Sequence, residues 1–262
     1  MRNNKYTYIN PYYMPFAFKC SNFKTIKNEE GYLNPFDYQN LLFKQLFNIS
    51  ENVYKPVKYS VLKKDDSNTE INLNTSHYKK MIYYGSIPWN STSESYIYNE
   101  KELITKYAGW LSPTVFHIEA SNANTTLKIK SSTSDFNFDN AQFYALDLNV
   151  LDQCAKTARN NEISISMENG SIDAEVNASY EDSYMYLSVP VDDGWDVLVN
   201  NKKAEVKSIG DCLYAIKLIP GRNRISMRYH TKYKTLGIGL TTTAILFIIV
   251  STIYRKKYCK EN

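Results

Sequence analysis

The sequence predicts a mainly β protein: a jelly-roll-like β-sandwich with one or two short helices, followed by a single C-terminal transmembrane helix. Three observations carry this. Tyrosine is unusually common, 23 in 262 residues, while glycine (9) and proline (8) are sparse. Tyrosine suits half-buried pleated surfaces, and so little Gly and Pro excludes collagen-like and disordered chains. Short apolar runs with partial alternation recur between Asn-, Ser- and Asp-rich breaks, the mark of many short strands. Finally, "LGIGLTTTAILFIIVSTIY", Leu236 to Tyr254, contains no charge. Composition weighs least of the three, because an AT-rich genome also enriches Lys, Asn, Ile and Tyr.

Residues 1–48 form an aromatic-rich segment. "NPYYMPFAF", Asn10 to Phe18, reads as extended, since each proline biases its predecessor away from helix. "NPFDYQNLLFKQLFN", Asn34 to Asn48, reads as a short helix with Asn34 as cap and Pro35 at its first position. Phe36, Leu42, Phe43 and Leu46 fall roughly on one stripe, which predicts packing on the domain that follows.

Residues 49–233 are expected to form the sandwich. "VYKPVKYSVL", "NTEINLN", "KKMIYYGSI", "SESYIYN", "SPTVFHIEA" and "TTLKIKS" carry β-branched and aromatic residues. One helix interrupts them near 147–159, where Leu148, Leu151 and Ala155 recur at helical spacing behind Asp147 as cap. A strand meander follows, from "EISISMEN" to "NRISMRYHT". Within it Asn200-Asn201 suits a tight hairpin and Pro220-Gly221 a type II turn.

Residues 235–254 are long enough, at about 1.5 Å per residue, to cross nearly all of a hydrocarbon core of about 30 Å. Three threonines do not exclude this, since each can hydrogen-bond back to its own helix. A buried helix of a soluble domain is the alternative. Residues 255–262 open with the basic cluster "RKKYCK". Basic flanks are retained in the cytoplasm, so this tail is expected inside and the bulk of the chain outside a bacterial cell membrane. Basic residues upstream, from Arg222 to Lys234, pull the other way. The N-terminus is basic without an apolar stretch of signal-peptide length, which leaves open a tail-anchored protein facing the cytoplasm.

"VPVDDGWDVLVNNKKAEV", Val189 to Val206, poses the sharpest functional question. Asp192 and Asp193 are candidates for an acid/base pair, and Trp195 for a sugar-stacking platform. The structural alternative is stronger. Asp and Gly form turns, adjacent carboxylates in a strand or turn do not converge, and Trp195, Val197 and Val199 alternate toward one face. Asp193, Gly194 and Trp195, with Pro220 and Gly221, are therefore read as structural motif residues, with Trp195 buried on the inner face. Trp89 and Trp110 are weak candidates for glycan contact, since aromatic residues are more often core.

Little other chemistry is visible. The net charge of +4 gives no pull toward nucleic acid. His77, His117 and His230 share no metal or triad spacing, and no glycine loop cradles phosphate. No catalytic residue, metal or cofactor is assigned. The cysteines, Cys20, Cys154, Cys212 and Cys259, form no C-x-x-C pair. A Cys154–Cys212 bridge is open, with no spacing rule behind it.

"YMYLSVPVDDGWDVLVNNKKAEVKSIGDCLYAIKLIPGRNRISMRYH", ending in an apolar span and basic tail, resembles the C-terminal end of the YfhO family of bacterial multi-spanning membrane proteins. The likeness lies in the D-x-G-W turn, the hairpin after it, the Pro-Gly turn and the tyrosine before the last helix. "NPYYMPFAF" and "NPFDYQNLLFKQL" are similar to two further family segments. Asn201 stands where the family has a hairpin glycine, and Arg222-Asn223 where it has Glu/Lys-His. Family members carry about a dozen spans, so this chain resembles the outer C-terminal domain and last helix alone.

The resemblance implies a GT-C-type glycosyltransferase that moves a sugar from a polyprenyl-phosphate carrier to an envelope polymer such as lipoteichoic acid. The family's catalytic carboxylate matches no position here, so this chain is expected to be non-catalytic by itself. Implied partners are membrane lipid, a multi-spanning membrane portion and envelope glycan. The alternative is a membrane-anchored glycan- or protein-binding module without enzyme activity.

Overall fold

The computed structural model describes residues 8–21, 34–65, 67–75, 80–87, 94–108, 114–120, 124–131, 141–210 and 212–258. The elements, in chain order, begin with β1 (Ala17–Cys20), α1 (Pro35–Phe47), β2 (Tyr54–Pro56), β3 (Tyr59–Lys64) and β4 (Asn68–Asn74). Then come β5 (Met81–Ile87), β6 (Glu94–Asn99), β7 (Glu102–Ala108), β8 (Thr114–Ile118), β9 (Asn124–Ser131) and β10 (Gln142–Asp147). After α2 (Leu148–Asn160) follow β11 (Ile165–Glu168), β12 (Ser171–Ala178), β13 (Tyr184–Pro190), β14 (Trp195–Val199) and β15 (Lys202–Lys203). Last are β16 (Val206–Ile209), β17 (Leu213–Lys217), β18 (Gly221–Tyr229) and α3 (Lys234–Tyr258).

The mainly β class with short helices and one C-terminal apolar helix is as the sequence predicts. The strands, however, divide between two sandwiches. In the first, sheet β2-β10-β5-β8 faces sheet β3-β4-β9-β6-β7. Their shared core holds Ile71, Leu73, Ile97, Leu127, Ile129 and Phe143. In the second, sheet β1-β13-β17-β16 faces sheet β11-β12-β18-β14-β15, enclosing Met185, Leu187, Ile216, Ile225 and Met227. Of residues 1–48, the described elements β1 and α1 pack into this body. Strand β1 pairs antiparallel with β13, Ala17 opposite Leu187.

Helices α1 and α2 fill the layer between the sandwiches. Leu42, Leu46 and Ala158 pack with Phe18, Tyr184 and Ala215 of the second sandwich. Phe43, Val150 and Cys154 pack with Leu146, Tyr54 and Tyr84 of the first. The two inner sheets are thus covered on both faces, and strands β10, β13 and β17 within them carry runs of apolar residues in place of alternation. In β10, Phe143 and Ala145 face one core while Leu146 faces the helices.

Both helix starts follow the sequence signals. Asn34 Oδ1 accepts from the N–H groups of Phe36 and Asp37, each at 2.9 Å, and Asp147 Oδ1 from Asn149 N at 2.9 Å. Asn200 and Asn201 have φ of 52° and 62°, the left-handed pair a tight hairpin requires. Cys20 and Cys154 are buried and Cys212 is exposed, all as free thiols, so the Cys154–Cys212 bridge is not formed.

Within α3, Lys234–Lys256 is long and apolar enough to cross a membrane, with a mean hydropathy of 2.1, and no part of it is buried against the rest of the protein. That removes the buried-helix alternative. Thr241, Thr242 and Thr243 each donate to a carbonyl four residues back at 2.8 Å, so their hydroxyls need no water in lipid.

Candidate functional site

The turn after β13 leads into β14 and lies against residues 230–233, which connect β18 to α3. β13 ends at Pro190, and Val191 N–H donates to Cys212 O at 2.7 Å. Asp192 then closes the turn on itself. Its Oδ1 accepts from Gly194 N–H at 2.7 Å, and its carbonyl accepts from Trp195 N–H at 3.2 Å. Tyr214, on β17 beside β13, clamps the backbone of Asp192, with its hydroxyl donating to the carbonyl at 3.0 Å and accepting from the N–H at 3.2 Å.

Gly194 is buried because three groups converge on it. A Cβ there would lie 2.7 Å from the Tyr229 ring, 2.8 Å from Asp192 Oδ1 and 2.8 Å from His230 O. Two of these obstacles are fixed by backbone or ring packing, so only glycine fits without moving the strand. The close approach also lets His230 N–H reach Gly194 O at 2.7 Å.

Asp193 points the other way. Its Oδ2 lies 2.6 Å from Lys232 Nζ, in the connector to α3. That hydrogen bond and the ammonium charge hold the Asp193 carboxyl below its ordinary range and push the Lys232 ammonium above its own. The two adjacent carboxylates are thus engaged separately, one by a turn amide and one by a lysine. They do not converge on a common point, as paired acid/base chemistry requires.

Trp195 lies on the inner face of its sheet, as alternation predicts, directly opposite Tyr229. The ring centroids are 5.2 Å apart at 64°, an edge-to-face contact. The expected full burial is corrected: Trp195 is only partly buried. Trp195–Tyr229 is the last rung of β14–β18, and no further rung covers the indole.

Pro220 and Gly221 lie at the other end of β18. Nine residues separate Gly221 from Tyr229 inclusive, a span of about 26 Å at the usual strand rise. The motif residues therefore form two places, not one. Gly221 has φ of 97°, a conformation that excludes other residues. Asn223, fully buried, closes this distal turn by accepting from Ile219 N–H at 2.9 Å and donating to the carbonyls of Ile219 and Gly221 at 2.7 and 2.9 Å.

Sequence reasoning did not single out Tyr214, Tyr229, His230, Lys232 or Asn223 as partners in these places. Only Tyr229 carried a signal, as the tyrosine before the last helix. His230 Nε2 lies 3.4 Å from Asp196 Oδ2. A cleft of about 330 Å³, lined by Tyr229, His230, Thr231, Lys234, Thr235 and Ile238, separates the last rung from the first turns of α3. Trp89, Trp110 and His77 lie outside the described residues. Among the described residues, no group of three or more His, Cys, Asp or Glu is placed to hold a metal ion.

The model of a family described as "Bacterial membrane protein YfhO" matches residues 1–241. A comparison with curated proteins finds no match. Among solved structures, a β-D-glucuronidase from Dictyoglomus thermophilum aligns with a TM-score of 0.26 at 7% identity, covering 71% of this chain and 43% of that one. The Ruminococcus gnavus β-glucuronidase aligns with a TM-score of 0.22 at 10% identity, covering 82% and 38%. The chain spans less than half the length of either enzyme. Likeness at these scores carries no argument about fold or activity.

Proposed function

The chain belongs to the YfhO family of bacterial membrane proteins, and from that premise we propose that it is an accessory outer part of an envelope glycosylation machinery. In this reading the double sandwich stands on the extracytoplasmic side, α3 crosses the membrane, and the basic tail lies in the cytoplasm. The machinery transfers a sugar from a polyprenyl-phosphate carrier to an envelope polymer such as lipoteichoic acid. Catalysis falls to a multi-spanning body, in the same polypeptide or a separate one, which the sandwiches cover from outside.

The observation that carries the accessory role is the engagement of Asp192 and Asp193. The most conspicuous acid pair in the chain is used to build the joint to α3. The test is deletion of the gene, followed by sugar analysis of the purified envelope polymers. Loss of one sugar substituent, restored by the intact gene, is expected. Unchanged polymers would overturn the assignment to glycosylation. Transfer of a polyprenyl-phosphate sugar by the purified chain in detergent would overturn the accessory role.

A further inference from the structure

The end of the second sandwich nearest α3 exposes apolar and aromatic side chains where a domain held clear of the membrane would carry polar ones. Val191 is 42% exposed, Tyr229 41% and Tyr233 77%, and Trp195 is partly buried beside them. They belong to one rim: Trp195 and Tyr229 form the last rung of their sheet, Val191 enters the same turn, and Tyr233 lies just past the strand.

The tether to α3 is short. Only His230 to Tyr233 separate β18 from the helix, and four residues reach about 14 Å when fully extended. They are not extended. His230 is tied to Gly194, Lys232 to Asp193, and Tyr233 turns back with φ of 61°, where Lys234 N–H meets Thr231 O at 3.3 Å. The interfacial layer on each side of a bilayer is itself about 5–8 Å thick. A rim held this close to the start of a span has no room to stand clear of it.

Three carboxylates lie at the rim, and each has a partner: Asp192 Oδ1 takes the Gly194 N–H, and Asp196 Oδ2 lies 3.4 Å from His230 Nε2. Lys232 neutralises Asp193, so that carboxylate does not oppose a lipid surface. Lys234 begins the helix, where a lysine stem lies along apolar surface while its ammonium reaches lipid phosphate. Trp and Tyr favour this layer because their rings have an apolar body and a polar tip.

We propose that this rim is an interfacial docking surface occupied by the headgroup layer of the bilayer, so that the sandwich is seated in the membrane surface. Val191, Trp195, Tyr229 and Tyr233 form its apolar contact, with Lys232 and Lys234 at its edge. The inference rests on reading α3 as a transmembrane helix, and it deepens that reading by fixing the height of the outer domain.

The experiment uses the full chain in phosphatidylcholine nanodiscs, with Trp89→Phe and Trp110→Phe leaving Trp195 as the only indole. Nitroxide is placed either on the lipid headgroup or near the end of the acyl chain. The headgroup label is expected to quench Trp195 about twofold or more beyond the chain-end label, as an interfacial ring requires. A second protein, also carrying Trp195→Phe and Phe247→Trp, reports on the span, and its indole should be quenched best by the chain-end label. If Phe247→Trp responds to lipid while Trp195 responds to neither label, the docking surface is refuted and the span stands. If Phe247→Trp responds to neither, the span reading falls and the docking surface falls with it.

Discussion

Replacing Asn40 by alanine tests whether the helical layer is held to the first sandwich by one side chain acting as a strand. Asn40 sits in α1 and is 4% exposed. Its Nδ2 donates to Tyr54 O at 2.8 Å, and its Oδ1 accepts from Tyr54 N–H at 2.8 Å. Tyr54 opens β2, an edge strand only three residues long, so a side-chain amide completes its backbone pairing on the open side. Removing the amide loses two hydrogen bonds and leaves a partly buried donor and acceptor unpaired. At about 1 kcal/mol per bond, plus part of the desolvation penalty, the cost is about 2–3 kcal/mol. Urea unfolding in mild detergent, followed by tryptophan emission, should show a midpoint lowered by about 1 M at an unchanged slope. Hydrogen exchange at the Tyr54 amide should lose its protection. Asn40→Asp sharpens the test, because it keeps the acceptor but sets a carboxylate against Tyr54 O. The folded state then raises that carboxyl's pKa, so this variant should recover stability as pH falls and the acid protonates. A midpoint within about 0.2 M of the parent, with Tyr54 still protected, would refute the reasoning.

Trp195→Ala should cost about 3 kcal/mol, the low end for a large aromatic because the indole is only partly enclosed. Asp192→Asn with Asp193→Asn should cost less, and the reverse order in denaturant melts would overturn the structural reading of the turn. Burial opposes the charge of Asp147, yet Lys55 and the N–H groups of Asn149 and Val150 together outweigh it and hold the carboxyl below its ordinary range. Its contribution is therefore present above about pH 4 and lost as pH falls through the lower folded value. Asp147→Asn keeps a good helix cap and should flatten that acid limb, measured as midpoint against pH. Burial pushes the Cys20 thiol up to about 12 and the Cys154 thiol up to about 11. A maleimide at neutral pH should thus label exposed Cys212 and spare both until the protein unfolds. With Cys20, Cys154 and Cys212 replaced by alanine, a membrane-impermeant maleimide should reach Cys259 only in permeabilised cells. Labelling of intact cells would place the tail outside and overturn the proposed orientation.

What the sequence determined by itself is local. Asn34-Pro35 and Asp147 mark helix starts because a cap acts on N–H groups two or three residues away. Asn200-Asn201 makes a hairpin because asparagine accepts positive φ. The span is legible because lipid selects on the summed hydropathy of one continuous stretch. Alternation likewise placed Trp195, Val197 and Val199 on one face. What only the tertiary structure decided is which distant segments meet. Alternation names a face but not a partner, and strands covered on both faces lose even that signal, so β10, β13 and β17 concealed the division into two sandwiches. β1 finds β13 about 170 residues later, and Asp193 finds Lys232 39 residues away. Asn223 reads as a surface residue until its amide is seen closing the distal turn. Trp195 has the pattern of a core residue, and its place on the last rung, beside the start of α3, depends on where the sheet stops. Such positions are set by long-range packing, whose energy is shared among residues far apart in the chain, and no short window of sequence contains them.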